Sequence, residues 1–169
     1  MAPRRARTAF VADAMLGSLA RKLRALGFDT SYYRSGGDAQ LVDLAASEGR
    51  VILTSDRGLA TLARVKGTPA MLLTGDSDGA RLSEVSAAAG PLGISLARGD
   101  PLCSLCGGEL DRVAKAEVSG QVPPAVQRSH RLFYRCSACG KVYWRGSHWK
   151  KLRSLARRLG QKQLAPYTR

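Results

Sequence analysis

An α/β fold with a parallel sheet flanked by helices, followed by a small cysteine-stapled module and a basic C-terminal helix, is predicted by three features of this sequence. Strand-like and helix-like segments alternate between residues 8 and 97. All four cysteines fall in two Cys-x-x-Cys-Gly segments, at 103–107 and 136–140. The charge is one-ended, because the final 52 residues hold twelve Lys and Arg and no Asp or Glu.

Taken in order, Thr8 to Ala12 is a short apolar run that stops at Asp13. Leu16, Leu19, Ala20, Leu23 and Leu26 then recur at helical spacing, and Gly27 stands where a helix ends. Phe28 to Tyr33 reads as extended, and Gly36-Gly37 as a turn. Asp38 is placed to cap a helix through Leu41, Val42, Leu44 and Ala45, which Gly49 closes. Val51-Ile52-Leu53-Thr54 is β-branched and nearly all apolar, as a strand covered on both faces should be. Asp56 follows, then a helix containing Leu59, Leu62, Ala63 and Val65. A strand near 70–73 leads to Asp76 and Asp78, and a weaker helix covers about 80–89. This order implies a parallel sheet, since parallel neighbours need a crossover between them. Turn-rich segments at 90–93 and 98–101 mark the exit. The expected division is 8–98, 102–149, and a basic helix and tail over 150–169, with the helix from Lys150 to Leu159.

Each Cys-x-x-Cys turn can aim two thiolates at one ion. Cys103, Cys106, Cys136 and Cys139 together make a tetrahedral sulfur set, which suits structural zinc and leaves no coordination position open for catalysis. Twenty-nine residues separate the two knuckles, room for the arms of a zinc ribbon. Two disulfides or a redox-active pair are the alternatives. A disulfide within Cys-x-x-Cys is strained, and the glycine after each pair fits a metal knuckle better. Stripping the metal is expected to unfold the ribbon and leave the first domain folded.

Hydrophobic content of 44% suits an ordinary globular domain. The basic start, Met-Ala-Pro-Arg-Arg-Ala-Arg, resembles an export signal, but Asp13 interrupts its apolar continuation too early. No run of 18 apolar residues exists. With reduced, metal-type cysteines, these features predict a cytoplasmic location and no membrane partner. Of the net charge of +14, the first 117 residues contribute only +2, from fifteen basic and thirteen acidic groups. The positive field therefore belongs to the ribbon and tail. It is the footprint of a phosphate-backbone binder, so RNA is the expected partner, with the ribosome and tRNA among the candidates.

Catalysis, if present, belongs to the first domain. Ligand sites in open parallel sheets form beyond the carboxyl ends of the strands, where Asp13 and Asp56 both lie. Asp38, heading the next helix, can reach the same rim. Three carboxylates on one rim repel unless a cation sits among them, and Mg²⁺ or Mn²⁺ is the natural oxygen-seeking guest. Such an ion activates water and offsets charge on a phosphodiester. Helix capping by Asp38 or Asp56, and a plain loop role for Asp13, are the single-residue alternatives. Asp43 reads as a solvated helix-face residue, while Asp76 and Asp78 are open between a fourth ligand and an ordinary turn.

Three blocks make the reading specific: Phe-Val-Ala-Asp13-Ala-Met-Leu-Gly-Ser-Leu-Ala-Arg21-Lys-Leu-Arg24, then Asp38-Ala-Gln-Leu-Val-Asp-Leu-Ala, then Gly-Arg-Val-Ile-Leu-Thr54-Ser-Asp56-Arg57-Gly-Leu. With the Cys-x-x-Cys pairs and the closing Tyr143-Trp144-Arg-Gly146-Ser147-His148-Trp149, the chain resembles, over about 8–155, the PIN-like RNase family named for the C-terminal domain of Mut-seven proteins. The resemblance implies a PIN-like fold and a metal-dependent ribonuclease centre. Asp13, Asp38 and Asp56 would match the first, second and third acidic ligands, the last in a Thr-x-Asp signature. It also implies products with 5′-phosphate and 3′-hydroxyl ends, and it allows a homodimer, since such domains commonly pair.

Arg21, Lys22 and Arg24 follow Asp13 on the first helix and are candidates to hold a scissile phosphate, as is Arg57 beside Asp56; solvated positions are the alternative. His148 is open as a general acid, a phosphate contact or a residue packed by Trp144 and Trp149. The ribbon aromatics are assigned to its small core ahead of base stacking. The whole reads as a Mg²⁺- or Mn²⁺-dependent ribonuclease preferring single strands, with the zinc ribbon and tail gripping RNA. A non-catalytic RNA- or ribosome-binding protein is the alternative. A DNA-binding regulator is weaker, because nothing resembles a recognition helix.

Overall fold

The computed structural model describes residues 8–97, 99–146, 151, 152, 154–156 and 159. Four parallel strands form the first sheet: β1 (Ala9–Ala12), β2 (Thr30–Tyr32), β3 (Arg50–Thr54) and β4 (Ala70–Leu72), in the spatial order β2-β1-β3-β4. Helices α1 (Gly17–Ala25), α2 (Asp38–Glu48), α3 (Arg57–Val65) and α4 (Asp78–Ala89) follow these strands in turn. Phe10 pairs with Thr30 on one side and Val51 on the other, and Leu53 sits between Ala12 and Met71.

Successive strand residues point to opposite faces, and the core is divided accordingly. Phe10, Ala12, Val51, Leu53 and Met71 pack with Leu19 and Leu23 of α1 and Leu82 and Val85 of α4. Val11 and Ile52 face the other way, onto Leu41 and Val42 of α2 and Leu59 and Ala63 of α3. Both faces of the central strands are covered, which is why they read as unbroken apolar runs.

Two starts differ from expectation. The cap of α2 is Gly37, whose N–H donates to Gln40 Oε1 at 3.2 Å, so Asp38 is the first helical residue and not the cap. α4 begins at Asp78 because Ser77 Oγ accepts from Ala80 N at 3.2 Å. Glu84, farther along α4, clamps the preceding loop by accepting from the N–H groups of Thr74 and Gly75 and from the Thr74 hydroxyl.

The second sheet is antiparallel, β5 (Leu110–Val113), β6 (Phe133–Cys136) and β7 (Val142–Trp144), in that order. Between β5 and β6 lies α5 (Pro124–Ser129), with Pro124 in its first turn, where a missing N–H costs nothing. Phe133 is buried with Val118 and Val122, while Tyr134 is buried with Leu110, Cys103 and Cys136. Lys151, Leu152 and residues 154–156 are helical, and Ala156 and Leu159 are buried in the α1–α4 core. Of the basic helix expected from Lys150 to Leu159, Lys150, Arg153, Arg157 and Arg158 lie outside the described residues, as do His148 and Trp149, and Leu159 stands in a turn. No helix among the described residues is long and apolar enough to cross a membrane.

Candidate functional site

The strand order reverses between β1 and β3, and the crevice outside the carboxyl ends at such a switch point is where open α/β sheets take ligands. Asp13 leaves β1 there, its N–H still bonded to Leu53 O at 3.0 Å. Asp56 leaves β3 beside it. One hydroxyl joins them: the buried Thr54 Oγ1 donates to Asp13 Oδ2 at 2.9 Å and accepts from Asp56 N at 2.9 Å. Asp13 Oδ1 accepts from Ala14 N at 2.6 Å. Asp56 Oδ1 caps α3, accepting from Gly58 N at 2.6 Å and Leu59 N at 3.1 Å. Both carboxylates are thereby fixed in direction yet keep acceptor capacity toward the crevice. Ser55, next in the chain to Asp56, has a buried Oγ without a hydrogen-bond partner.

Asp38 stands on the same edge, exposed in the first turn of α2. The three carboxylates do not converge to ligand spacing. Among the described residues, the four cysteines are the group of three or more such side chains whose ligand atoms lie within 4.8 Å of one another. A cage of three directly coordinating aspartates does not fit this arrangement. The donor chemistry suits Mg²⁺, a hard ion that keeps several of its waters and needs only one or two carboxylates.

The predicted cations divide. Arg21 and Arg57 are exposed, Arg57 as the first residue of α3 next to Asp56. Lys22 Nζ bonds Ser18 Oγ at 2.9 Å and pairs with Asp78. Asp78 also accepts from Ser18 Oγ at 2.7 Å and lies 3.7 Å from Arg81 Nη1. Burial pushes the Asp78 carboxyl up, but the hydrogen bonds from Lys22 and Ser18 and the charges of Lys22 and Arg81 outweigh it, leaving the group below its ordinary range. Asp43 pairs with Lys66 at 2.7 Å on the outer surface.

Arg24 requires a correction. α1 runs back along the sheet, so this residue lies at the amino-terminal edge, remote from the acidic rim. It is 6% exposed, and its guanidinium is committed to backbone carbonyls. It does not face a substrate at the rim. Helical periodicity had no means of showing this, because the partners of Arg24 come from β2 and from the ribbon.

The cysteine centre is built from two turns of the same design. In the first, Cys103 N donates to Gly108 O and Gly107 N to Cys103 O, both at 2.8 Å; in the second, Cys136 N donates to Lys141 O and Gly140 N to Cys136 O, both at 2.9 Å. Gly107 and Gly140 take φ of +85° and +75°, the left-handed bend that brings the chain back. All four cysteines are free. The sulfurs face across knuckles, with Cys103–Cys139 at 3.6 Å and Cys106–Cys136 at 3.5 Å. These separations approach the roughly 3.8 Å edge of a zinc–sulfur tetrahedron with 2.3 Å bonds. They exclude the disulfide alternative in this structure, as an S–S bond is about 2.05 Å.

Electrostatics favour the same guest. Burial pushes the Cys103 thiol up, but the Tyr143 hydroxyl at 3.0 Å and the nearby backbone N–H groups bring it down to about 6. Cys106, although helped by Gly108 N–H, is pushed up to about 12 by lost hydration and the neighbouring sulfurs. A cation among them is what lets all four ionise together. Burial and Cys103 raise the Tyr143 phenol, which keeps it a donor. The sequence assigns Tyr143 to the ribbon core ahead of base stacking and does not show this contact with the cysteine centre.

A family model described as Mut7-C RNAse domain matches residues 8–156. No curated protein and no solved structure matches the chain.

Proposed function

This chain belongs to the Mut7-C RNAse domain family, and from that premise we propose that it is a metal-dependent ribonuclease hydrolysing phosphodiester bonds of single-stranded RNA. The observation that carries this reading is the Asp13–Thr54–Asp56 network at the switch point of the sheet. Asp13 and Asp56, with Asp38 on the same edge, would hold Mg²⁺ or Mn²⁺. When bound, that ion supplies a polarised water and offsets charge on the phosphodiester. Thr54 orients the Asp13 carboxylate and fixes the Asp56 backbone, while Gly58 and Leu59 N–H hold the Asp56 carboxylate, which matters because misplaced charge loses most of its effect on a transition state. Exposed Arg57 and Arg21 supply positive charge to the RNA backbone. The first part, 8–98, cuts; the ribbon over 102–149, held by structural zinc, and the tail over 150–169 grip RNA through the excess positive charge that the acid-free residues 118–169 supply.

Cleavage of a pool of structured and unstructured RNAs, with Mg²⁺, Mn²⁺ or EDTA, tests this beside Asp56→Asn. Asn retains the helix cap while removing the charge, so the variant should fold, bind RNA and fail to cut. Normal cutting by that variant sinks the acidic centre. That the three aspartates do not share one ligand-spaced group favours a second reading, a non-catalytic RNA- or ribosome-binding protein. It predicts salt-sensitive RNA binding without metal-dependent cleavage in either protein.

A further inference from the structure

Arg24 joins the two sheets of the molecule. Its Nε donates to Thr30 O at 2.6 Å, at the start of β2. Its Nη1 donates to Leu105 O at 2.9 Å and Ser104 O at 3.5 Å, and those two residues lie between Cys103 and Cys106. The backbone reinforces the junction: Leu102 N donates to Arg24 O at 2.9 Å and Gly99 N to Gly27 O at 2.8 Å. Gly27 has φ of +90°, and a Cβ there would stand 2.2 Å from Gly99 O, so the close approach admits only glycine. No carboxylate pairs with Arg24 among the described residues.

We infer that Arg24 is the positioning residue through which the four-cysteine centre fixes the end of α1, so that metal in the knuckles and order in α1 are coupled. A closed knuckle aims the Ser104 and Leu105 carbonyls at the guanidinium. An open one withdraws them and leaves a buried cation with Thr30 O alone, an arrangement that buried charge resists. The contact therefore differs between the two states, which is the condition for coupling, and linkage makes it reciprocal: the bonds that order Arg24 also tighten the metal. α1 is about 14 Å long and leads at its other end, through the turn Ala14–Leu16, to Asp13. Order at the junction thus reaches the acidic rim along one helix. The inference rests on the zinc reading of the cysteines but not on catalysis.

The test uses the full chain, purified reduced, and begins with its zinc content. A chain that takes up no Zn²⁺ sinks the zinc reading, and the coupling with it. Given zinc, affinity is measured by competition with a chromophoric chelator for wild type, Arg24→Met and the control Arg21→Met on the same helix. Arg24→Met should weaken zinc about 10- to 100-fold, the range for lost support around a metal site, and Arg21→Met less than about two-fold. Equal affinity in wild type and Arg24→Met overturns the coupling while leaving the zinc reading intact. Hydrogen exchange on wild type, with and without chelator, decides the matter even if Arg24→Met fails to fold. Amides of residues 19–27 should lose protection when zinc is removed while α2 and α3 keep theirs. Unchanged protection in α1, or equal loss in all three helices, overturns it.

Discussion

Thr54→Val isolates the hydroxyl that ties the two aspartates together. The side chains are nearly isosteric and Thr54 is fully buried, so packing is conserved while two hydrogen bonds vanish. The bond to the Asp13 carboxylate contributes about 1.5–3 kcal/mol, as charge-assisted bonds do, and the orphaned Asp56 N–H costs about 1–3 kcal/mol. Burying a methyl in place of a hydroxyl returns about 1 kcal/mol. The net loss is about 3 kcal/mol, or roughly 6–12 °C in Tm for a chain of this size. Thr54→Ser is the matched control: it keeps the hydroxyl and loses one methyl, costing about 1 kcal/mol. Urea unfolding of the zinc-loaded chain measures both. The volume-conserving variant should be the less stable of the two. If Thr54→Val equals or exceeds Thr54→Ser in stability, the hydroxyl does not organise the rim and the reasoning fails.

Asp56→Asn should shift stability by no more than about 0.5 kcal/mol, since Asn and Asp cap helices equally well, while metal-dependent cleavage is lost; urea unfolding beside the RNA assay checks both. Tyr143→Phe should weaken zinc binding about 10-fold by removing the hydroxyl that touches Cys103, read by chelator competition, with the fold retained. Asp78→Asn should destabilise at pH 7 by unpairing Lys22. The folded-state pKa of Asp78 lies below its unfolded value, so its contribution is present above the ordinary carboxylate range, near 4, and fades as pH falls below it. Urea midpoints of wild type and variant should differ at pH 5 to 7 and draw together as the pH falls below the ordinary carboxylate range; a constant gap would refute the ion pair.

What the sequence revealed, and what it concealed, follows the range of the forces involved. The strands were legible because burial on both faces forces continuous apolar runs, as at Val51–Leu53. Asp56 was legible as a cap because its partners, Gly58 and Leu59, are two and three residues away. The two knuckles were legible because ligand spacing is local. Polar pairings across the fold leave no periodic trace. Lys22 meets Asp78 fifty-six residues on, and Arg24 meets Leu105 eighty-one residues on. An Arg next to Leu23 on an amphipathic helix is ordinarily a surface residue whose stem covers the apolar stripe. Here the ribbon closes over it and turns a surface cation into an internal tie. The misreading has a mechanical consequence for the rim. The same helix that carries Arg24 at one end is anchored to Asp13 at the other, and Tyr32 OH holds the intervening turn by donating to Ala14 O at 2.7 Å. The acidic rim and the cysteine centre therefore share one rigid element. A perturbation at the cysteine centre should be felt along α1 before it is felt in α2 or α3, which pack on the opposite face of the sheet.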